Sequence, residues 1–305
     1  MHGTAITVAA DAIKEEFGIS DQFFPHSYWP VASWGFGCAV WIIVGLPIME
    51  DLGIRKWFLI NYALFFLFII PQALAQNFET LVVTRFFAGG FGELPTSAVA
   101  SIIPDLWSDG KGRTVPVSLL NLCVMGGLTI APPIFAPVME SIGNWRWIFY
   151  IQLILYAALF PLLYFGLEET RGAVILQHAA EAHRKKHPMQ PVYAEAEVNA
   201  PELITKLRNS AYRPFYLLAT EPVVLSISLW SAFSFGTVFM FTQSTEQVFE
   251  ELYDWKFYET AYVLVAVFVG EVIGWAINLF GIKLYLDSAK RNTETPREPI
   301  PESRL

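Results

Sequence analysis

Residues 85–150 run RFFAGGFGELPTSAVASIIPDLWSDGKGRTVPVSLLNLCVMGGLTIAPPIFAPVMESIGNWRWIFY. Arg85 opens an apolar run dotted with glycines, and Glu93 lies two turns further along it. A polar elbow follows, from Asp105 to Lys111 and Arg113, and then a second apolar run holding Gly126, Gly127, Pro132, Pro133 and Pro137. Long apolar runs separated by short charged elbows are the pattern of membrane-crossing helices, which need about 20 apolar residues each. An ionisable residue inside such a run is costly and normally faces a polar cavity or a partner.

The same pattern extends outward over the chain. Only 16% of the residues are charged, against about 25% in a soluble domain, and mean hydropathy is +0.42. Because the charges are bunched, full spans are predicted at 29–49, 57–76, 80–103, 115–138, 146–166, 217–242 and 259–281. The fold class is therefore an all-α membrane protein with about seven full transmembrane helices. The first residues, MHGTAITVAADAIKEE, lack a basic n-region and are too short to span, so they read as the end of a helix. The organisation expected is a first-helix remnant and outer loop (1–28), helices over 29–167, a central loop (168–213), further helices over 214–286 and a disordered tail (287–305).

Lysine and arginine orient the spans. With 50–56 in the cytoplasm, the opposite side holds only Lys14, Arg146 and Lys256, and Arg85 lies within the third span near its outer end. All the others of the 20 basic residues fall on the cytoplasmic side. A net charge of −8 argues against a nucleic-acid partner. Cys38 and Cys123 both sit in apolar runs and imply no disulfide framework.

Three residues in the spans are candidates for a substrate or proton pathway: Arg85, Glu93 and Glu271. Arg85 either faces a cavity or carboxylate, or snorkels to the nearby interface. Gly89, Gly90 and Gly92 beside it would let another helix approach closely. Glu93 is too deep to snorkel and is expected to face a cavity. Glu271, flanked by Gly270 and Gly274, either does the same or is protonated and hydrogen-bonded to a neighbouring helix. The prolines of the fourth span predict a bend, at a moving interface or as a static kink. Glu221 is read as a helix N-terminal carboxylate. His183 and His187 share ligand-like spacing, but Arg184, Lys185 and Lys186 between them would repel a cation, so no metal is expected. No HExxH, GxSxG or phosphate-loop motif occurs, and no enzyme activity is expected.

Several stretches, taken in order, resemble the major facilitator superfamily, and within it the fungal-type drug:proton antiporters. LPIMEDLGIRKW (46–57) is similar to the family's cytoplasmic gating loop, with Pro47, Glu50, Gly53, Arg55 and Lys56 on matching positions. RFFAGGFG (85–92) resembles the fourth family helix, and Gly127 and Pro132 in GGLTIAPPIFAP resemble the antiporter motif of the fifth, a helix-bend region that includes Pro133 and Pro137. NWRWIFYIQ, EETRG and RPFYLLATEPVVLSISLW resemble the sixth helix, its exit and the start of the second half. The resemblance implies a partial twelve-helix bundle: a helix-1 remnant plus helices 2–8. It implies alternating-access transport of a small organic solute, a multidrug or metabolite export, driven by a proton gradient without a bound cofactor. The expected partners are the lipid bilayer and that solute, and the expected membrane is the plasma membrane rather than a vacuolar or other internal one. The alternative is a truncated, transport-inactive membrane protein, a gene-model fragment or an interaction partner of other chains.

Overall fold

The computed structural model describes residues 2–19, 26–107, 110–187, 192–198 and 203–288. Its helices are α1 (Ala10–Phe17), α2 (Trp29–Leu52), α3 (Ile54–Ala73), α4 (Phe78–Leu106), α5 (Gly110–Ile142) and α6 (Arg146–Gly166). They continue with α7 (Gly172–Lys186), α8 (Glu195–Val198), α9 (Leu203–Thr220), α10 (Pro222–Tyr253) and α11 (Phe257–Ser288). Among the described residues there is no strand. Among the described residues, seven helices are long and apolar enough to cross a membrane: α2 to α6, α10 and α11.

Local chemistry explains the ends. Asn77 accepts a hydrogen bond from the Thr80 amide at 2.8 Å and starts α4 as a side-chain N-cap. Gly18, at φ 62°, closes α1 in the left-handed conformation that glycine adopts without steric cost. Between α2 and α3 stands a single residue, Gly53, so the expected loop at 50–56 is a sharp helix-to-helix joint instead. Pro47 lies inside α2, while Arg55 and Lys56 belong to the first turn of α3. The side chain of Glu50 is outside the described residues. The sixth span begins at Pro222 rather than 217, because the chain is extended at Glu221, the residue before a proline. The central stretch is largely helical, in α7, α8 and the beginning of α9. Of the expected tail, Asp287 and Ser288 end α11, and the remainder lies outside the described residues.

The main core gathers the first residues with α3, α4, α5 and α6. Ala5, Ile6 and Ile13 pack with Phe65, Ile69, Leu81, Ala88, Ile148 and Phe149. The first described residues are thus buried in the bundle. A second cluster, beside the α2–α3 joint, gathers Met49, Ile54, Phe58, Tyr62 and Ala98. Helix α2 lies against α4, and α11 lies against α5; α9 touches α2 and α10.

Candidate functional site

Arg85 is fully buried, at 0% exposure, so it does not snorkel. Nor does it meet a carboxylate. Its Nε donates to the Pro30 carbonyl at 2.6 Å and an Nη donates to the Gly3 carbonyl at 2.8 Å, while the guanidinium lies 5.4 Å from the Trp34 ring centre. The other Nη has no acceptor among the described residues. The sequence pointed to a costly cation that faces a cavity or carboxylate or snorkels; its partners are instead backbone carbonyls. Pro30 and Gly3 carry no charge that could have signalled this.

Around Arg85 the first residues build a polar network. His2 hydrogen-bonds to the Gln152 side chain on α6 and, at 3.2 Å, to Gln72 on α3. Gln72 donates to Phe68 and Thr84 carbonyls. Gln72 and Gln152 were legible as lone polar residues in apolar spans, a signal usually tied to function or helix pairing. His2 was hidden by the shortness of its segment.

The glycines act as expected. A Cβ on Gly89 would fall far inside contact distance of the Trp34 carbonyl on α2, and one on Gly37 would meet the Phe86 carbonyl on α4. The two backbones are therefore in direct contact, as small residues allow. Cys38 sits in this seam and points its thiol at the Gly89 carbonyl, 3.3 Å away; Cys38 and Cys123 are both free. Glu93, one turn deeper on α4, is half-buried and has no hydrogen bond or ion pair among the described residues.

Helix α5 shows how carbonyls freed by proline are satisfied. Pro132 has no amide to reach Leu128, and the Thr4 hydroxyl donates to the Leu128 carbonyl instead, at 2.6 Å. Pro132 and Pro133 are buried, Gly127 and Pro137 half-buried. On the α11 side, Glu271 Oε2 lies 3.2 Å from the Thr129 hydroxyl, and Phe268 packs over Gly126. Glu271 thus meets a neighbouring helix, one of the two arrangements open to it. Among the described residues no hydrogen bond or ion pair joins Arg85, Glu93 and Glu271 to one another. Arg85 and Glu93 belong to the α2–α4 seam, Glu271 to the α5–α11 seam.

Two latches close the ends of the bundle. At the α2–α3 joint the Glu169 carboxylate accepts from the amides of Ile54 (3.0 Å), Arg55 (3.1 Å) and Arg171 (3.0 Å). It therefore caps α3 at the Gly53 joint, and Arg55 donates to the Tyr164 carbonyl at 3.3 Å. Lys56 is exposed. At the opposite end Arg146 forks onto Glu16 at 2.7 and 3.0 Å and onto the Ala75 carbonyl at 2.8 Å, while the Trp145 indole donates to Glu16 at 2.6 Å. The Arg146 and Trp145 donors hold the Glu16 carboxyl below its ordinary range. Among the described residues no group of three or more His, Cys, Asp or Glu side chains is placed to hold a metal.

A helical bundle with, among the described residues, seven span-length apolar helices, buried polar groups and glycine-mediated helix contacts defines a multi-pass integral membrane protein. The chain belongs to the Major Facilitator Superfamily, whose family model matches residues 1–293. It is 30% identical over 262 residues to the MFS-type transporter oryN of Aspergillus oryzae, covering 85% of this chain and 50% of that one. It is 27% identical to the citrinin biosynthesis cluster MFS transporter mrr1 of Monascus ruber, covering 98% and 60%. It is also 27% identical to the efflux pump bik6 of Gibberella fujikuroi, covering 94% and 59%. The proton:xylose symporter XylE shares the fold, with a TM-score of 0.60 at 16% identity over 94% of this chain and 68% of that one. The chain spans about half to three fifths of the length of these curated relatives.

Proposed function

We propose that this chain forms the substrate- and proton-handling part of an exporter that moves a small organic solute across the plasma membrane by alternating access, driven by a proton gradient. Its relatives are transporters and efflux pumps by name, one of them tied to the biosynthesis of citrinin. The observation that carries the coupling is Glu93. It is a half-buried carboxylate deep in a span, without an ion-pair partner among the described residues. Such a group can take up and release a proton without first breaking a salt bridge. Arg85 keeps a permanent positive charge two turns away, its charge spread onto carbonyls rather than spent on a carboxylate. Glu271 sits where α5 and α11 meet and is the second carboxylate on which a proton would alter a helix contact.

The test is proton movement in vesicles. A protein that contains this chain is reconstituted with an entrapped pH dye and challenged with a panel of small aromatic acids and neutral aromatics. Solute-dependent proton flux is expected, and Glu93→Gln is expected to abolish it while solute binding persists. Flux unchanged in Glu93→Gln removes Glu93 from the coupling role. A second reading, a transport-inactive membrane protein, is favoured by the span Pro222–Phe241, none of whose most apolar window is buried within the chain. Flux carried by the purified 305-residue chain alone would refute it.

A further inference from the structure

Helix α9 differs from every other long helix of the chain. It is an 18-residue segment, LITKLRNSAYRPFYLLAT, with Lys206, Arg208 and Arg213 and no acidic residue. Only Glu221, in extended conformation, separates it from the span-length helix α10. Its C-terminal end is therefore held where a membrane span begins, on the side that the lysine and arginine distribution assigns to the cytoplasm.

The exposed face of α9 carries two kinds of group. Ile204, Arg208, Tyr212, Phe215 and Tyr216 follow one another at helical spacings of four, four, three and one, which places them on one broad face. Ile204 is 76% exposed, Tyr212 65% and Phe215 62%, and the Tyr212 and Tyr216 rings stack at 5.8 Å. Arg208 stands within this face and Arg213 beyond it; both are exposed, and neither has a hydrogen bond or ion pair among the described residues. Leu207, Ser210 and Leu217, which are half-buried, form the opposite side, and α9 packs against α2 and α10.

We infer that the aromatic and arginine face of α9 lies in the headgroup layer of the cytoplasmic leaflet and binds anionic phospholipid there. Tyrosine and phenylalanine rings settle at the boundary between headgroups and acyl chains, where an apolar body and a polar tip are both satisfied. The charge is complementary: a helix with three basic residues and no acid matches a leaflet whose surface carries phosphatidylserine. Covalent continuity with α10 puts the helix at that depth without a separate association step. A bound leaflet then fixes the direction in which α10 leaves the surface, because the joint at Glu221 is one residue long.

The experiment uses the intact chain. Native mass spectrometry of the detergent-solubilised protein, titrated with phosphatidylserine or phosphatidylcholine, reads lipid retention. A clear preference for phosphatidylserine is expected. The double variant Arg208→Gln/Arg213→Gln is expected to weaken that binding about thirty-fold, the effect of removing two basic residues near a lipid surface. Arg208→Lys/Arg213→Lys should keep it within a few-fold, which separates charge from fold damage. In nanodiscs, a nitroxide at Phe215→Cys in a Cys38→Ala/Cys123→Ala background should collide with oxygen and be shielded from a water-soluble nickel chelate. Equal retention of the two lipids, equal phosphatidylserine binding by the Gln variant, or a nitroxide open to the chelate overturns the inference. A nitroxide shielded only when the chain is dimeric or bound to another protein overturns it as well, since the face would then be a protein interface.

Discussion

Glu169→Ala should open the end of the bundle at the α2–α3 joint. The carboxylate accepts three backbone amides at 3.0 to 3.1 Å, two of them the first free amides of α3. A hydrogen bond to a charged group contributes about 1.5–3 kcal/mol when its loss leaves a partner unsatisfied. Glu169 is only half-buried, so water replaces part of each bond. A helix N-cap contributes about 1 kcal/mol, and the carboxylate adds a favourable interaction with the helix dipole of about 0.5 kcal/mol. Taken together, about 2 kcal/mol is expected for the site, or about thirty-fold in the open fraction. Arg55 and Lys56 are exposed in this first turn, so trypsin cleavage there reports opening when reclosing is fast. Glu169→Ala should raise that cleavage rate about thirty-fold, and Glu169→Gln, which keeps one acceptor oxygen, should fall between. Gly53 provides a second handle. Its φ of 86° and ψ of 155° lie in a region open essentially only to glycine, at about 1–3 kcal/mol for other residues. A Cβ there would also collide with Glu169. Gly53→Ala should therefore cost less in the Glu169→Ala background than alone, because the collision is gone and only the strain remains. Strictly additive effects, or wild-type cleavage in Glu169→Ala, would refute the capping role.

Two further predictions concern other parts of the bundle. Gly89→Ala should force α2 and α4 apart and destabilise the protein by about 1–3 kcal/mol, whereas Gly35→Ala, with open space at its Cβ, should be silent in the same thermal melt. The Glu16–Arg146 latch should respond to acid. Because the folded-state pKa of Glu16 is depressed below 4.5, its stabilisation is full above that value and is lost as pH falls through it toward the folded pKa. With its side chain 39% exposed, the expected loss is under about 1 kcal/mol, read as a small drop in Tm between neutral and acid pH that Glu16→Gln does not show.

The span pattern was legible because membrane helices must satisfy their backbones internally and so declare themselves by length and apolarity. Gly89 and Arg85 were legible for the same reason: a small residue or a charge in such a run needs an explanation. The Gly53 joint was not, since the charges at 50–56 imitate a loop while the polar ends of two helices carry the same residues. The start of α10 was obscured by the apolar FYLLAT, although Glu221-Pro222 marked it. The network of His2, Gln72 and Gln152 depends on contacts between residues far apart in the chain, which local periodicity does not encode. The same holds for the Thr4 bond to the Leu128 carbonyl.

The setting of Arg85 also bears on how the chain is assembled. Its two acceptors, Gly3 and Pro30, both precede it, one at the very start of the chain and the other at the head of α2. Both acceptors are made before α4, so they are available to receive the guanidinium when α4 packs. An arginine with no such reception raises the insertion free energy of a helix by about 2.5–3.5 kcal/mol. Synthesis order and burial order therefore coincide: the acceptors of the most expensive residue are made before it.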